Sequence, residues 1–103
     1  MSQLLQLLEA VKDHNLTKTQ LEQYRDSMVH LHTSMQLELA EKEKACATFF
    51  LERKVSMPEA SDISIKRIWK GTENGLREIE LNRFIKAVAK EIDSLKSRLY
   101  SIY

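Results

Sequence analysis

The sequence predicts an all-α fold: an elongated helical bundle built on an antiparallel helical hairpin with coiled-coil character, completed by dimerisation. Two observations lead to this fold class. The 103 residues include only two Gly and one Pro, so the chain has almost none of the residues that β-hairpin turns need. Ala, Glu, Lys, Leu and Arg make up 48 of the 103 residues, close to the share of about one half that is typical of long helices.

Residues 1–16 are expected to form a short amphipathic helix. Leu4, Leu8 and Val11 follow the spacing i, i+4 and i+7 of an apolar helix face. A helix of this length is marginal in water by itself. We therefore expect it to pack against the next helix or against a partner chain, with His14 near its C-terminal end.

A long second helix is predicted over residues 17–55. Thr17 and Gln20 match a capping box, which marks the start of a helix. No Gly or Pro interrupts the run that follows until Pro58, and the residue before a proline avoids the helical conformation. The uninterrupted run from Thr19 to Val55, about 36 residues, spans about 54 Å as a helix, which predicts an elongated molecule.

The apolar residues of this second helix follow the heptad spacing of a coiled coil. They are Leu21, Tyr24, Met28, Leu31 and Met35. Residues 38–44 are mostly charged, so we expect this middle section to stay in contact with solvent between two apolar ends of the helix.

Residues 56–75 are expected to form a linker and a short helix. Ser61 or Asp62 can cap this helix at its start, and Gly71 can end it. The two apolar residues Ile63 and Ile65 also alternate like a strand, but a lone strand would have no partner in this chain. The helix is therefore the preferred prediction.

The short helix carries a basic segment that is a candidate contact with a partner protein or with nucleic acid. Its members are Lys66, Arg67, Trp69 and Lys70. Three cations beside an aromatic ring that looks exposed indicate a surface able to contact phosphates. In the alternative interpretation, Trp69 covers one end of the bundle and the cations only face solvent.

The last helix, predicted over residues 76–103, contains a heptad seam. Its apolar residues alternate at spacings of four and three, and they are Leu81, Ile85, Val88, Ile92, Leu95, Leu99 and Ile102. Mostly β-branched residues at position a, with Leu at two of the four d positions, favour a parallel two-stranded coil, and therefore a homodimer. Alternatively, the seam packs antiparallel on the long helix of its own chain. The two arrangements can coexist in a four-helix dimer.

The sequence contains no motif that indicates a reaction, so we expect no enzyme, no catalytic residues and no cofactor. His30 and His32 are two positions apart, which places them on different sides of a helix, so no metal site is expected. The single Cys46 cannot form an intramolecular disulfide, which favours a reducing, cytoplasmic setting. No stretch of about 18 uncharged apolar residues is present, so we expect no membrane span.

These observations predict a non-catalytic protein–protein interaction module, which acts as an adaptor, inhibitor or regulator by docking its helices on a partner protein. A homodimer is expected as well. The alternative is a nucleic-acid-associated regulatory or accessory protein that uses the basic segment 66–70. Residues 61–103 carry nine basic and six acidic residues, and this small excess favours the first prediction over the alternative.

Overall fold

The computed structural model of the chain describes residues 2–13 and 15–102, and the side chains of 4–13 and 15–101. The described residues are 88% helical and contain no strand. They form α1 (Ser2–Ala10), α2 (Lys18–Ser56), α3 (Asp62–Gly71) and α4 (Glu73–Ile102). The prediction of an all-α fold is confirmed. His14 lies outside the described residues.

The start of α2 is the capping box that the sequence predicts. The backbone N–H of Thr17 donates to Gln20 Oε1 at 2.9 Å, and the backbone N–H of Gln20 donates to Thr17 Oγ1 at 3.2 Å. These two bonds satisfy amide donors that have no partner within the helix. At the other end α2 reaches Ser56, one residue beyond the predicted end and two before Pro58.

The start of α4 differs from the prediction, because the helix begins at Glu73 rather than at Leu76. Thr72 makes this possible by capping two helices at once. Its N–H and its hydroxyl both donate to the carbonyl oxygen of Trp69, at 3.0 and 2.6 Å. The same hydroxyl accepts from the N–H of Gly75 at 3.0 Å. A single residue therefore joins α3 to α4.

The chain forms two compact units, and both α2 and α4 contribute to each of them. The first unit comprises Met1–Ser34 and Ile85–Tyr103. Its buried apolar residues are Leu4, Val11, Leu21, Met28, Val88, Ile92, Leu95 and Leu99. The guanidinium of Arg98 donates to the carbonyl oxygens of Val11 and Asp13 at 2.5 Å each, which connects α4 to the chain that follows α1.

The second unit comprises Met35–Phe84. Its core contains Met35, Ile65, Trp69 and Leu81. The ring of Phe49 on α2 lies 5.4 Å from that of Trp69 on α3 at an interplanar angle of 54°, and the Arg53 guanidinium lies 5.0 Å from the Phe49 centroid. Tilted aromatic pairs and cations above a ring are both favourable geometries. The Phe49–Trp69 contact holds α3 against α2.

The predicted heptad positions are mostly buried within the single chain. In α2, Leu21, Met28 and Met35 are buried, and Tyr24 and Leu31 are half-buried. In the seam of α4, the buried residues are Leu81, Val88, Ile92, Leu95 and Leu99, while Ile85 is half-buried. The side chain of Ile102 lies outside the described ones. This burial fits the alternative in which the seam packs within its own chain, and self-association through the seam stays a prediction.

Candidate functional site

The N-terminal end of α3 is held in place by a cap and by a lysine from α2. Ser61 Oγ accepts a hydrogen bond from the backbone N–H of Ser64 at 3.1 Å. Lys54 Nζ lies 3.0 Å from a carboxylate oxygen of Asp62 and donates to the carbonyl oxygen of Ala60 at 2.8 Å. The last turns of α2 therefore fix where α3 begins.

The short helix α3 has a buried face and an exposed face. Ile65 and Trp69, four positions apart, are both buried. The opposite side carries Ile63, Lys66, Arg67 and Lys70 at i, i+3, i+4 and i+7, and all four are exposed. We refer to these four residues as the cationic face of α3.

Trp69 is buried, with only 4% of its surface exposed, so the expectation of an exposed aromatic ring in the basic segment is wrong. The reason is its contact with Phe49, a residue 20 positions earlier whose proximity the local pattern does not reveal. Within the described residues, the Trp69 Nε1–H is buried without a hydrogen-bond partner. The alternative interpretation, in which Trp69 joins the core and the cations face solvent, fits this placement.

The three cations of the cationic face are not engaged in ion pairs within the described part of the chain. Among the residues that the structure describes, Lys66, Arg67 and Lys70 form neither a salt bridge nor a hydrogen bond. The acidic residue of the same helix, Asp62, pairs with Lys54 instead. The cationic face therefore presents three positive charges to solvent.

A second exposed surface follows the outer side of α2 within the second unit. Leu37, Leu51 and Val55 lie on one side of the helix, because Leu37 and Val55 are about five helical turns apart and Leu51 is about one turn before Val55. Leu51 is 71% and Val55 83% exposed, and Leu37 is exposed too. Met35, about 200° around the helix from Leu37, is buried. We call these three exposed residues the α2 stripe.

The charged middle of α2 connects to α4, which the sequence did not reveal. None of residues 38–44 is buried, as expected. However, Arg77 Nε donates to Glu38 Oε2 at 2.6 Å and Arg77 Nη2 donates to Glu38 Oε1 at 2.8 Å. Arg77 also contacts Glu80, and Lys42 Nζ donates to Asn74 Oδ1 at 2.9 Å. A bidentate arginine–carboxylate pair is among the stronger ion-pair geometries.

The hydrogen bonds from Arg77 lower the pKa of Glu38 below its ordinary value, although partial burial of the carboxyl acts in the opposite direction. The positive charges of Arg77 and Lys42 lower this pKa further. A depressed folded-state pKa stabilises the fold above the unfolded pKa of about 4.3, and this stabilisation is lost as the pH falls through the folded value.

We expect Glu38→Gln to lower the free energy of unfolding at pH 7 by about 0.5–1 kcal/mol, a value kept small because solvent screens a partly exposed pair. The deficit should shrink as the pH falls below the unfolded pKa of about 4.3 toward the lowered folded pKa, because the unfolded carboxyl takes up its proton first. Urea unfolding at pH 7 and pH 3.5 measures both values. Glu41→Gln is the matched control, because Glu41 is exposed and forms no salt bridge in the described part of the chain. A deficit independent of pH would contradict the assignment.

The first unit contains a cavity of about 310 Å³ between α1 and α4. The cavity is lined by the apolar side chains of Leu5, Leu8 and Ala87, and by two lysines and two glutamates. Because the opposite charges balance, the lining has no net charge that would select an ionic ligand. The cavity therefore points to no particular chemistry.

Potential metal and thiol chemistry is limited in the described residues. They contain no group of three or more His, Cys, Asp or Glu that could hold a metal ion. Cys46 is half-buried, and burial raises the pKa of its thiol, with Glu78 adding to the rise and Lys66 opposing it. The sulfur is therefore held in its protonated, less reactive form at neutral pH.

The described helices include none that is both long enough and apolar enough to cross a membrane. Comparison of the chain with models of protein families, with curated proteins and with solved structures found no match.

Proposed function

We propose that this protein is a non-catalytic protein–protein interaction module, an adaptor or an inhibitor, that works in the cytoplasm by docking its helices on a partner protein. The observation that carries the proposal is the α2 stripe. Leu51 and Val55 project from the outer side of a helix whose opposite side already supplies the core. Two large apolar side chains one turn apart match the i, i+4 anchors by which a helix enters the groove of a partner.

Covering the apolar side chains of the α2 stripe is energetically favourable. Fully burying a Leu or Val side chain is worth about 1.5–3 kcal/mol relative to leaving it in water. The fold itself does not obtain this gain at Leu51 or Val55, since both are more than two-thirds exposed. Covering both by a partner therefore supplies several kcal/mol, enough for a small set of buried anchors to dominate a binding interface.

Affinity purification from the native cells, followed by quantitative mass spectrometry, tests the proposal. The wild-type chain should recover a defined protein, and the double variant Leu51→Glu/Val55→Glu should lose at least about nine-tenths of it, because it places two charges in an apolar contact. The control Gln23→Glu/Ser27→Glu adds the same two charges, also one turn apart, to exposed positions of α2 that lie several turns before Leu51. Equal recovery by both double variants would contradict the proposal.

A nucleic-acid-associated function is the second candidate, and the uncompensated Lys66, Arg67 and Lys70 favour it. We expect at most weak, non-specific binding at physiological salt, because three cations release few counterions. Fluorescence anisotropy with duplex and single-stranded probes at two salt concentrations measures this. Submicromolar binding at about 150 mM salt, lost when these three residues become Ala in a folded chain, would place this candidate first.

Self-association through the seam of α4 is a further part of the proposal, supported by the heptad spacing of its residues. Because the chain buries most of these side chains itself, the arrangement that fits is a four-helix dimer in which each chain supplies a hairpin. Sedimentation equilibrium at micromolar concentration measures the mass directly. A monomer mass throughout that range would remove the dimer and leave the single-chain fold.

A further inference from the structure

The cationic face of α3 carries three positive charges that form no ion pair in the described residues. Lys66, Arg67 and Lys70 occupy neighbouring turns on one side of the helix, and the nearest acid on α3, Asp62, is paired with Lys54. Grouping like charges that form no ion pair is unfavourable in the free protein, and an opposite charge on a binding partner relieves it. The face therefore selects an acidic surface.

The same face contains an apolar residue at its N-terminal end. Ile63 is 67% exposed and lies three, four and seven positions before the three cations. A phosphate backbone offers nothing to cover an isoleucine, whereas the apolar side of a protein helix does. The aromatic ring that could stack on a base is Trp69, and it is buried. Protein therefore fits this surface better than nucleic acid.

The face is also fixed before any partner binds. Ser61 caps the start of α3, Lys54 holds its first turn to α2, and Ile65 with Trp69 anchors its inner side in the core. A preformed surface loses little backbone entropy on binding, so more of the contact energy appears as affinity. The remaining cost is the ordering of the long Lys and Arg side chains.

From these three observations we infer that the cationic face of α3 binds an acidic amphipathic helix of the partner protein. An apolar side chain of that helix covers Ile63, and its carboxylates pair with Lys66, Arg67 and Lys70. Arg67 supplies a planar guanidinium that can hold a carboxylate with two hydrogen bonds. The inference rests on the proposed function and adds the chemistry of the partner segment.

Selection from a displayed library of random 16-residue peptides against the 103-residue chain tests this inference. The enriched peptides should carry net negative charge, with apolar residues spaced by three or four positions. Their affinity should fall at least about tenfold for Lys66→Glu/Arg67→Glu/Lys70→Glu, since like charges would then face each other. A control with the same change in charge, Arg83→Glu/Lys86→Glu/Lys96→Glu, alters exposed cations of α4 and should bind as the wild type does.

A second variant distinguishes a loss of binding from a loss of folding. Ile63→Ser changes one exposed side chain and no charge, and it should weaken the selected peptides about threefold or more while the helix content by circular dichroism stays at the wild-type level. Enriched peptides that bind the triple variant and Ile63→Ser as tightly as the wild type would overturn the inference, as would a selection that enriches no acidic sequence.

Two further probes test whether the cationic face prefers nucleic acid or an anionic lipid surface to an acidic peptide. A 20-base-pair duplex and vesicles containing anionic phospholipid should each bind more weakly at physiological salt than the best selected peptides, and tighter binding of either would overturn the inference. The result is independent of the purification experiment. If the library selects no acidic peptide but a native partner is still lost with Leu51→Glu/Val55→Glu, the inference fails and the proposed function stands.

Discussion

Gly75→Ala is expected to destabilise the protein by about 2 kcal/mol, with a fall in Tm of about 8–16 °C for a chain of this size. A Cβ atom at this position would overlap the carbonyl oxygen of Trp69 and would lie 2.7 Å from the carbonyl carbon and 3.0 Å from Lys70 Cα. All three atoms belong to the backbone, so α4 would have to move away from the end of α3. This cost outweighs the gain of about 1 kcal/mol that alanine brings to a helix interior.

The control for this prediction is the other glycine. A Cβ at Gly71 would meet nothing within 4 Å, and Gly71 is the last residue of α3. Gly71→Ala should therefore leave Tm unchanged or raise it slightly, because alanine restricts the unfolded chain more than glycine does. Thermal unfolding followed by circular dichroism compares both variants. Equal Tm values for the two would contradict the close approach at Gly75.

Trp69→Ala is expected to lower the free energy of unfolding by about 3–5 kcal/mol, the range for removing a large aromatic side chain from a core. The change deletes the contact with Phe49 and leaves a cavity between α3 and α2. No hydrogen bond is lost with the indole, since its Nε1–H has no partner in the described residues. Unfolding by urea, followed by circular dichroism because the single Trp is removed, measures the loss.

Ile68→Ala gives the comparison for Trp69→Ala within the same helix. Ile68 is the adjacent residue and is exposed, so its truncation should cost less than about 1 kcal/mol. A loss for Trp69→Ala that is no greater than the loss for Ile68→Ala would mean that α3 is not anchored in the core. The cationic face would then lack the fixed position on which its proposed role depends.

The sequence predicts the helices well because helix signals are local. The capping box of Thr17 and Gln20 lies within four residues. The end of α2 before Pro58 follows from the proline alone, because the residue before a proline avoids the helical conformation. The heptad spacing likewise identifies Leu21, Met28 and Met35 as buried, since one side of a regular helix faces the core. These predictions need no information about which other helix each of these residues packs against.

The features that the sequence did not predict depend on residues far apart in the chain. Arg77 and Glu38 are 39 positions apart, and their pairing follows only once α2 and α4 are in place. The burial of Trp69 requires Phe49 beside it. The low helix propensity of glycine predicts that Gly75 lies outside a helix. It lies inside α4, because its missing side chain allows the backbone of α3 to approach.

One ambiguity has a physical origin that sequence alone cannot remove. A heptad seam presents the same apolar side chains to a helix of its own chain and to a helix of a second chain. The seam of α4 therefore predicts both a homodimer and an intramolecular packing. The proposals for the α2 stripe and the cationic face do not depend on how the seam packs, because neither surface belongs to it.

Site-specific photo-crosslinking in the native cells tests the proposed function most directly. A photoreactive amino acid placed at Leu51 or Val55 should form a crosslink to one defined partner protein, since these side chains are the proposed anchors. The same amino acid at Gln36, exposed on α2 outside the stripe, should give little or none of that product. A product of equal yield at all three positions, or crosslinks at Leu51 and Val55 to nucleic acid alone, would contradict the account.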